Sequence, residues 1–170
     1  LDEYELPASN LHVTHITRSK ELFDDAIKLA SRGSFVDITA DNSTYKWVAY
    51  YKEHKGDLNK LTLSSDGNGS LPRFSAKGEL MGLGVASTRT LFEQVIETIK
   101  DEKLTFEEVL QLVTVNTATA LKLENKGSIE SGKDADLLLL SKDTLEIRHV
   151  FAKGKHMIEE GEIIVKGTFE

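Results

Sequence analysis

Two side chains in this sequence stand where enzymes built on parallel strands keep their reactive groups. His15 closes the short β-rich segment at 11–15 (LHVTH), and Asp66 follows the segment at 61–65 (LTLSS). Both therefore fall at the C-terminal end of an expected strand, the end that carries catalysis in barrel enzymes. Neutral imidazole is a good zinc ligand. A carboxylate in such a place can bind a metal and also take a proton from a metal-bound water. Taken singly, each has a plainer reading: a hydrogen-bonded structural histidine, and a turn, since Asp-Gly and Asn-Gly are strong turn signals. Taken together, a His and an Asp at the mouths of different parallel strands bring the site reading level with the plain one.

Two neighbours extend the candidate set. Arg18 could hold a carboxylate in its fork of donors, and Ser70, four residues after Asp66, could donate a hydrogen bond to the same ligand. On residue type alone, both also read as solvated surface groups. His12 lies three residues before His15, so strand alternation puts it on the opposite face, and it reads as structural. No Ser-His-Asp arrangement is supported. Gly67-Asn68-Gly69 does not match a phosphate loop, and the run at 81–84 is too short for a nucleotide motif.

The elements that must position these groups follow from hydrophobic periodicity. A strand is expected at 11–15, then a helix capped by Ser19, with Leu22, Phe23, Ala26, Ile27 and Ala30 at helical spacing and Gly33 past its end. A strand at 34–39, a less regular helix at 44–55 and a strand at 60–65 come next. A turn-rich loop at 66–70 and a glycine-punctuated stretch lead to a helix at about 86–100. Thr105 and Glu108 have capping-box spacing and open a helix running to about 121. This alternation predicts parallel βα units. From Gly127 the texture changes to short strands at 136–140, 147–153, 156–158 and 162–166, separated by Gly-containing turns. The expected division is 1–124, α/β, and 125–170, all-β.

Composition bounds the rest. With 39% hydrophobic and 29% charged residues the chain reads as globular. A formal charge of -7 without a clustered basic stripe argues against nucleic acid. The absence of cysteine excludes disulfides and thiolate metal sites. No apolar run nears the roughly 20 residues of a membrane span, and no signal peptide opens the chain, so no membrane partner and a cytoplasmic location are expected. A (β/α)8 barrel takes about 250 residues, and only about 120 precede the β tail here. Together with a start at Leu1, this predicts the last three or so βα units of a barrel. A small doubly wound sheet is the alternative, although it would lack the usual Gly-rich phosphate loop.

The segment HVTHITR at 12–18 resembles the sixth-strand motif of the isoaspartyl (β-aspartyl) dipeptidases, and SSDGNGS at 64–70 resembles their eighth-strand motif. The segment GSIESGKDADL at 127–137 is similar to one widespread in the amidohydrolase superfamily, where the chain returns from a TIM barrel to a small β domain. VKGTFE at 165–170 is similar to the end of the dipeptidases. The resemblance implies the C-terminal half of such an enzyme: part of the metallohydrolase barrel, then strands of the small β-sandwich domain. It further implies that His15 ligates one of two zinc ions, that Asp66 binds metal and serves as general base and then general acid, and that Arg18 and Ser70 bind the α-carboxylate region of a β-aspartyl dipeptide. A metal-activated hydroxide would attack the isopeptide carbonyl. The family's His-x-His pair, its carboxylated lysine and its fifth-strand histidine have no counterpart here; their strands would lie upstream of Leu1.

The expectation is therefore layered. The parent protein hydrolyses β-aspartyl dipeptides, while this chain alone is inactive or nearly so, and self-associates as a homo-oligomer or needs the missing N-terminal half of its barrel. The alternatives are another amidohydrolase, dihydroorotase-like or deacetylase-like, and a non-catalytic assembly subunit that kept the fold.

Overall fold

The computed structural model describes residues 5–167; the last three residues of the VKGTFE motif lie outside that range. Three parallel strands form its first sheet: β1 (His12–Val13), β2 (Phe35–Thr39) and β3 (Leu61–Ser64), adjacent in chain order. The connections are α1 (Lys20–Ser31) and α2 (Thr44–Glu53). Ser19 starts α1 by accepting the Leu22 amide at 3.2 Å, and Gly33, at φ +101°, turns the chain back toward β2.

Side chains alternate cleanly across this sheet. Val36 pairs with Leu61 and Ile38 with Leu63, and all four are buried in one core with Phe23, Ala26, Val48 and Tyr51 from the helices. The opposite face carries His12, Phe35, Asp37, Thr39, Thr62 and Ser64. One face is apolar under helices, the other carries mostly polar groups, and the strands run in sequential order, a set of parallel βα units. A doubly wound sheet would need apolar faces on both sides.

The glycine-punctuated stretch is ordered as an antiparallel hairpin, β4 (Ser70–Phe74) with β5 (Leu80–Val85). The sequence reading missed it, and Ser70 accordingly opens a strand instead of sitting in a loop. Pairing places Pro72, Phe74, Leu80, Leu83 and Val85 on one face of this ribbon. Four of these, Phe74, Leu80, Leu83 and Val85, are more than half exposed. The helix expected from 86 begins later, as α3 (Arg89–Lys100).

The expected helix at 105–121 is broken. Thr105 and Glu108 complete their capping box and start α4 (Phe106–Leu110). A 3-10 turn (Gln111–Val113) and a kink at Thr114 separate it from α5 (Val115–Ala120). The Thr114 and Thr119 hydroxyls donate to the carbonyls of Leu110 and Val115, each at 2.7 Å. Such back-bonding bends helices, and this β-branched, Asn-containing sequence has little propensity to resist it.

The tail is a four-stranded antiparallel meander of β6 (Leu137–Leu140), β7 (Ile147–Ala152), β8 (Lys155–Glu159) and β9 (Glu162–Ile163). Its two tight turns carry positive φ at both central residues, Lys153-Gly154 and Glu160-Gly161, the twist that suits two-residue hairpins. Lys126 ties the approach to this sheet by bridging Asp134, at 2.9 Å, and Asp136. Among the described residues, no helix is long and apolar enough to cross a membrane.

Candidate active site

His15 lies just past β1, in the left-handed region at φ 57°, ψ 34°. Asp66 lies two residues past β3, also left-handed, at φ 49°. His and Asp tolerate this region better than most residues, though it is still disfavoured by about 1–2 kcal/mol. Both are half-buried, and both occupy the C-terminal rim of the parallel sheet. Strands two apart in a sheet are separated by about 10 Å, which sets the scale between the two backbones.

The left-handed turn at His15 corrects one expectation. Alternation predicted His12 and His15 on opposite faces. Instead, His12 Nε2 meets Thr62 Oγ1 at 2.9 Å and His15 Nδ1 meets Thr39 Oγ1 at 3.0 Å, and both hydroxyls project from the polar face. Alternation assumes an extended strand, and β1 ends at Val13, two residues before the left-handed His15.

The contact with Thr39 orients the imidazole. With Nδ1 donating to the hydroxyl, the Nε2 lone pair is left for a ligand, the arrangement that metal-binding histidines commonly show. Around Asp66 the loop closes tightly: the Gly69 amide donates to the Asp66 carbonyl at 2.8 Å, and Asn68 and Gly69 pair with Ala86 at 3.0 and 2.9 Å. A β-carbon on Gly67 would stand 2.5 Å from Thr88 Cγ2. The glycines of Asp66-Gly-Asn-Gly69 are thus demanded by close approach.

Arg18 ends the 3-10 turn (Ile16–Arg18) that follows His15 and is exposed. Ser70 is exposed at the base of the hairpin. Among the described residues, neither side chain hydrogen-bonds to or forms an ion pair with His15 or Asp66. An imidazole nitrogen and a carboxylate are the right kinds of donor for zinc. No group of three or more His, Cys, Asp or Glu side chains capable of holding a metal is present among the described residues. The two side chains fit as part of a donor set of three or four.

Residue-by-residue reading overlooked the carboxylate at the centre of this face. Asp37, only 4% exposed, accepts from Thr14 Oγ1 at 2.9 Å, Ser64 Oγ at 2.6 Å and Thr62 Oγ1 at 2.8 Å. A signal was available: an Asp in the middle of the otherwise apolar strand FVDIT, since carboxylates are rarely buried without partners.

Comparison with known proteins agrees with this geometry. The Amidohydrolase family model matches residues 8–157. The crystal structure of the β-aspartyl dipeptidase of Fervidobacterium islandicum AW-1, in complex with β-Asp-Leu, superposes with a TM-score of 0.86 at 34% identity, over 96% of this chain and 44% of that one. The N-acetylglucosamine-6-phosphate deacetylase of Thermotoga maritima superposes at a TM-score of 0.59 with 19% identity, over 75% of this chain and 39% of that one, a likeness of fold alone. A dihydroorotase of Methanosphaera stadtmanae is 28% identical over 76 residues, 43% of this chain and 18% of its own length. The chain spans under half the length of each of these relatives.

Proposed function

The chain belongs to the amidohydrolase family, and from that premise we propose that it is the C-terminal part of a zinc-dependent hydrolase of β-aspartyl dipeptides. The observation that carries the reading is the pair His15 and Asp66 on the rim of one parallel sheet, His15 held at Nδ1 by Thr39. This pair sits in a chain 34% identical, over 96% of its length, to a β-aspartyl dipeptidase.

His15 would hold zinc through Nε2 and Asp66 through its carboxylate. When bound, zinc supplies Lewis acidity, which polarises a carbonyl and acidifies water. Asp66 accepts the proton of the attacking water and delivers it to the leaving amine nitrogen. Arg18 offers a fork of donors for the substrate α-carboxylate, and Ser70 a hydroxyl beside it. The remaining zinc ligands come from chain outside these 170 residues, so residues 1–124 act as part of a barrel and 125–170 as part of the small β domain.

The test is aspartate release from β-Asp-Leu with added zinc, α-Asp-Leu serving as control. It is run on this chain alone and on a chimaera joining it to the upstream part of the Fervidobacterium islandicum enzyme. The chimaera is expected to cleave only the β-linked peptide and to lose activity with His15→Ala or Asp66→Ala. Cleavage of cyclic amides or N-acetyl sugars in its place would overturn the substrate assignment. Robust turnover by the monomeric chain alone would overturn the incomplete site.

The same reading has the chain associate, with itself or with the rest of its barrel. The open edges of the three-stranded sheet and the apolar hairpin face support this. Light scattering showing a monomer at every concentration would count against it.

A further inference from the structure

We propose that Asp37 is a positioning residue that fixes His15 and Asp66 relative to one another, an inference that rests on the metal-site reading above. Asp37 sits on the central strand β2, and its carboxylate holds hydroxyls from β3 and from the residue just after β1. Thr14 Oγ1, from the residue immediately before His15, donates to Oδ2 at 2.9 Å. Ser64 Oγ, two residues before Asp66, donates to the same Oδ2 at 2.6 Å. Thr62 Oγ1 donates to Oδ1 at 2.8 Å. One oxygen atom therefore joins the residue that follows β1 to the last residue of β3, shortly before each chain turns left-handed at its candidate ligand.

The network is directional. Thr62 Oγ1 donates to Asp37 Oδ1 at 2.8 Å, and with that proton so placed its lone pairs face His12 Nε2 at 2.9 Å. His12 is the outer end of this chain of bonds. Strand β2 holds His15 a second time, through Thr39 at Nδ1. Residues 14 and 15 are thus both anchored to β2 on the same face, which an extended backbone forbids and the left-handed His15 permits.

Stability alone does not explain a carboxylate here. Asp37 is 4% exposed, and the groups that its carboxylate binds are the hydroxyls of Thr14, Thr62 and Ser64. Burying a charge is unfavourable, and a well-packed apolar residue commonly serves stability as well or better. What the carboxylate adds is two acceptor atoms in a fixed plane, holding three hydroxyls at defined spacing. Outer hydrogen bonds of this kind tune metal affinity by 10–100-fold in known sites.

The experiment uses the isotopically labelled chain, without metal, and reads the His15 ring nitrogens and the Asp66 carboxyl carbon by NMR. Thr14→Val cuts one arm and is expected to move the His15 signals while leaving Asp66 in place. Ser64→Ala is expected to do the reverse. Asp37→Asn should move both and, in the chimaera that completes the ligand set, weaken Zn2+ binding, measured against a chromophoric chelator, by about tenfold or more. Thr98→Val, which deletes a buried hydrogen bond within α3, serves as a stability control and should move neither.

A merely structural Asp37 would lower stability in all these variants without that selectivity. Unchanged His15 and Asp66 signals in folded Asp37→Asn would overturn the proposal, as would a zinc affinity no lower than in the control. If Asp37→Asn fails to fold, the two single-arm variants decide, and loss of their selectivity overturns it. Selective shifts in a protein whose chimaera hydrolyses no β-aspartyl peptide would remove the functional reading and leave the positioning role standing.

Discussion

The Asp66 carboxylate lies against the α-carbon of Gly69: a β-carbon there would stand 2.6 Å from Oδ1 and 2.7 Å from the Asp66 carbonyl oxygen. Gly69 is not at a positive φ, so its requirement is spatial and not conformational. Gly69→Ala must therefore displace Asp66. We expect a loss of about 1–3 kcal/mol from overpacking, a shifted Asp66 carboxyl carbon signal, and weaker zinc binding by calorimetry. An unchanged Asp66 signal with unchanged Tm would show that the loop yields elsewhere.

A second close approach lies in the core. A β-carbon on Gly56 would meet the Tyr51 ring at 2.4 Å from Cδ1 and Cε1 and 2.6 Å from Cζ. Tyr51 is fully buried and donates its hydroxyl to the Asp57 carbonyl at 3.1 Å. Burial pushes its phenol pKa well up, so the donor stays protonated. Gly56→Ala is expected to destabilise by about 3 kcal/mol and Tyr51→Phe by about 1 kcal/mol. Combining Gly56→Ala with Tyr51→Leu should cost less than the sum of the two single changes, because the smaller side chain vacates the collision. Strict additivity in urea unfolding would refute the contact.

How far the sequence could be read depended on range. His15 and Asp66 were legible as strand-end residues because the strands they follow are marked by local β-rich runs, and Ser19 and Thr105 were legible as caps because capping is local. The hairpin β4–β5 was not. LMGLGV reads as turn-prone until Gly82 and Gly84 are seen opposite Arg73 and Leu71, a pairing between strands. The face of His12 was misread because one left-handed residue reverses an alternation rule. The Asp37 cluster was invisible for a simpler reason: its three partners lie 23 to 27 residues away, and no periodicity reports contacts at that separation.

Glu108 supplies a pH-dependent element. Its carboxylate accepts from Lys52 Nζ at 2.6 Å and from the Thr105 amide at 2.8 Å. The bond from Lys52, then that from Thr105, hold its pKa below the usual carboxylate value. A depressed folded pKa contributes stability above the unfolded pKa, about 4.3, and loses it as pH falls through the folded value. Glu108→Gln keeps the cap but not the charge pair, so its deficit relative to the natural chain should shrink from pH 7 to pH 3. Glu108→Ala loses the cap as well, about 1 kcal/mol more. A Glu108→Gln deficit equal at both pH values would refute the linkage.

Asn116 offers the sharpest contrast between two substitutions at one position. Its side-chain amide, 4% exposed, donates to the Leu58 carbonyl at 2.6 Å and the Leu61 carbonyl at 2.7 Å. It thereby pins α5 to the start of β3, the strand that leads to Asp66. Asn116→Ala removes both donors and should lower stability by about 2–3 kcal/mol. Asn116→Asp, nearly the same shape, faces a carboxylate onto two carbonyl oxygens. At neutral pH it should be worse than alanine, by analogy with unpaired buried charges at about 3–5 kcal/mol. The introduced carboxyl has its folded pKa raised, so its penalty is full above that pKa and relieved as pH falls through it. The protonated acid regains one donor of the two. In urea unfolding at pH 7 and pH 4.5, the gap between Asn116→Asp and the natural chain should therefore narrow without closing, while the gap for Asn116→Ala stays constant. A pH-independent gap for the aspartate variant, or one no larger than alanine's at pH 7, would mean that the two carbonyls find other donors when the amide is gone.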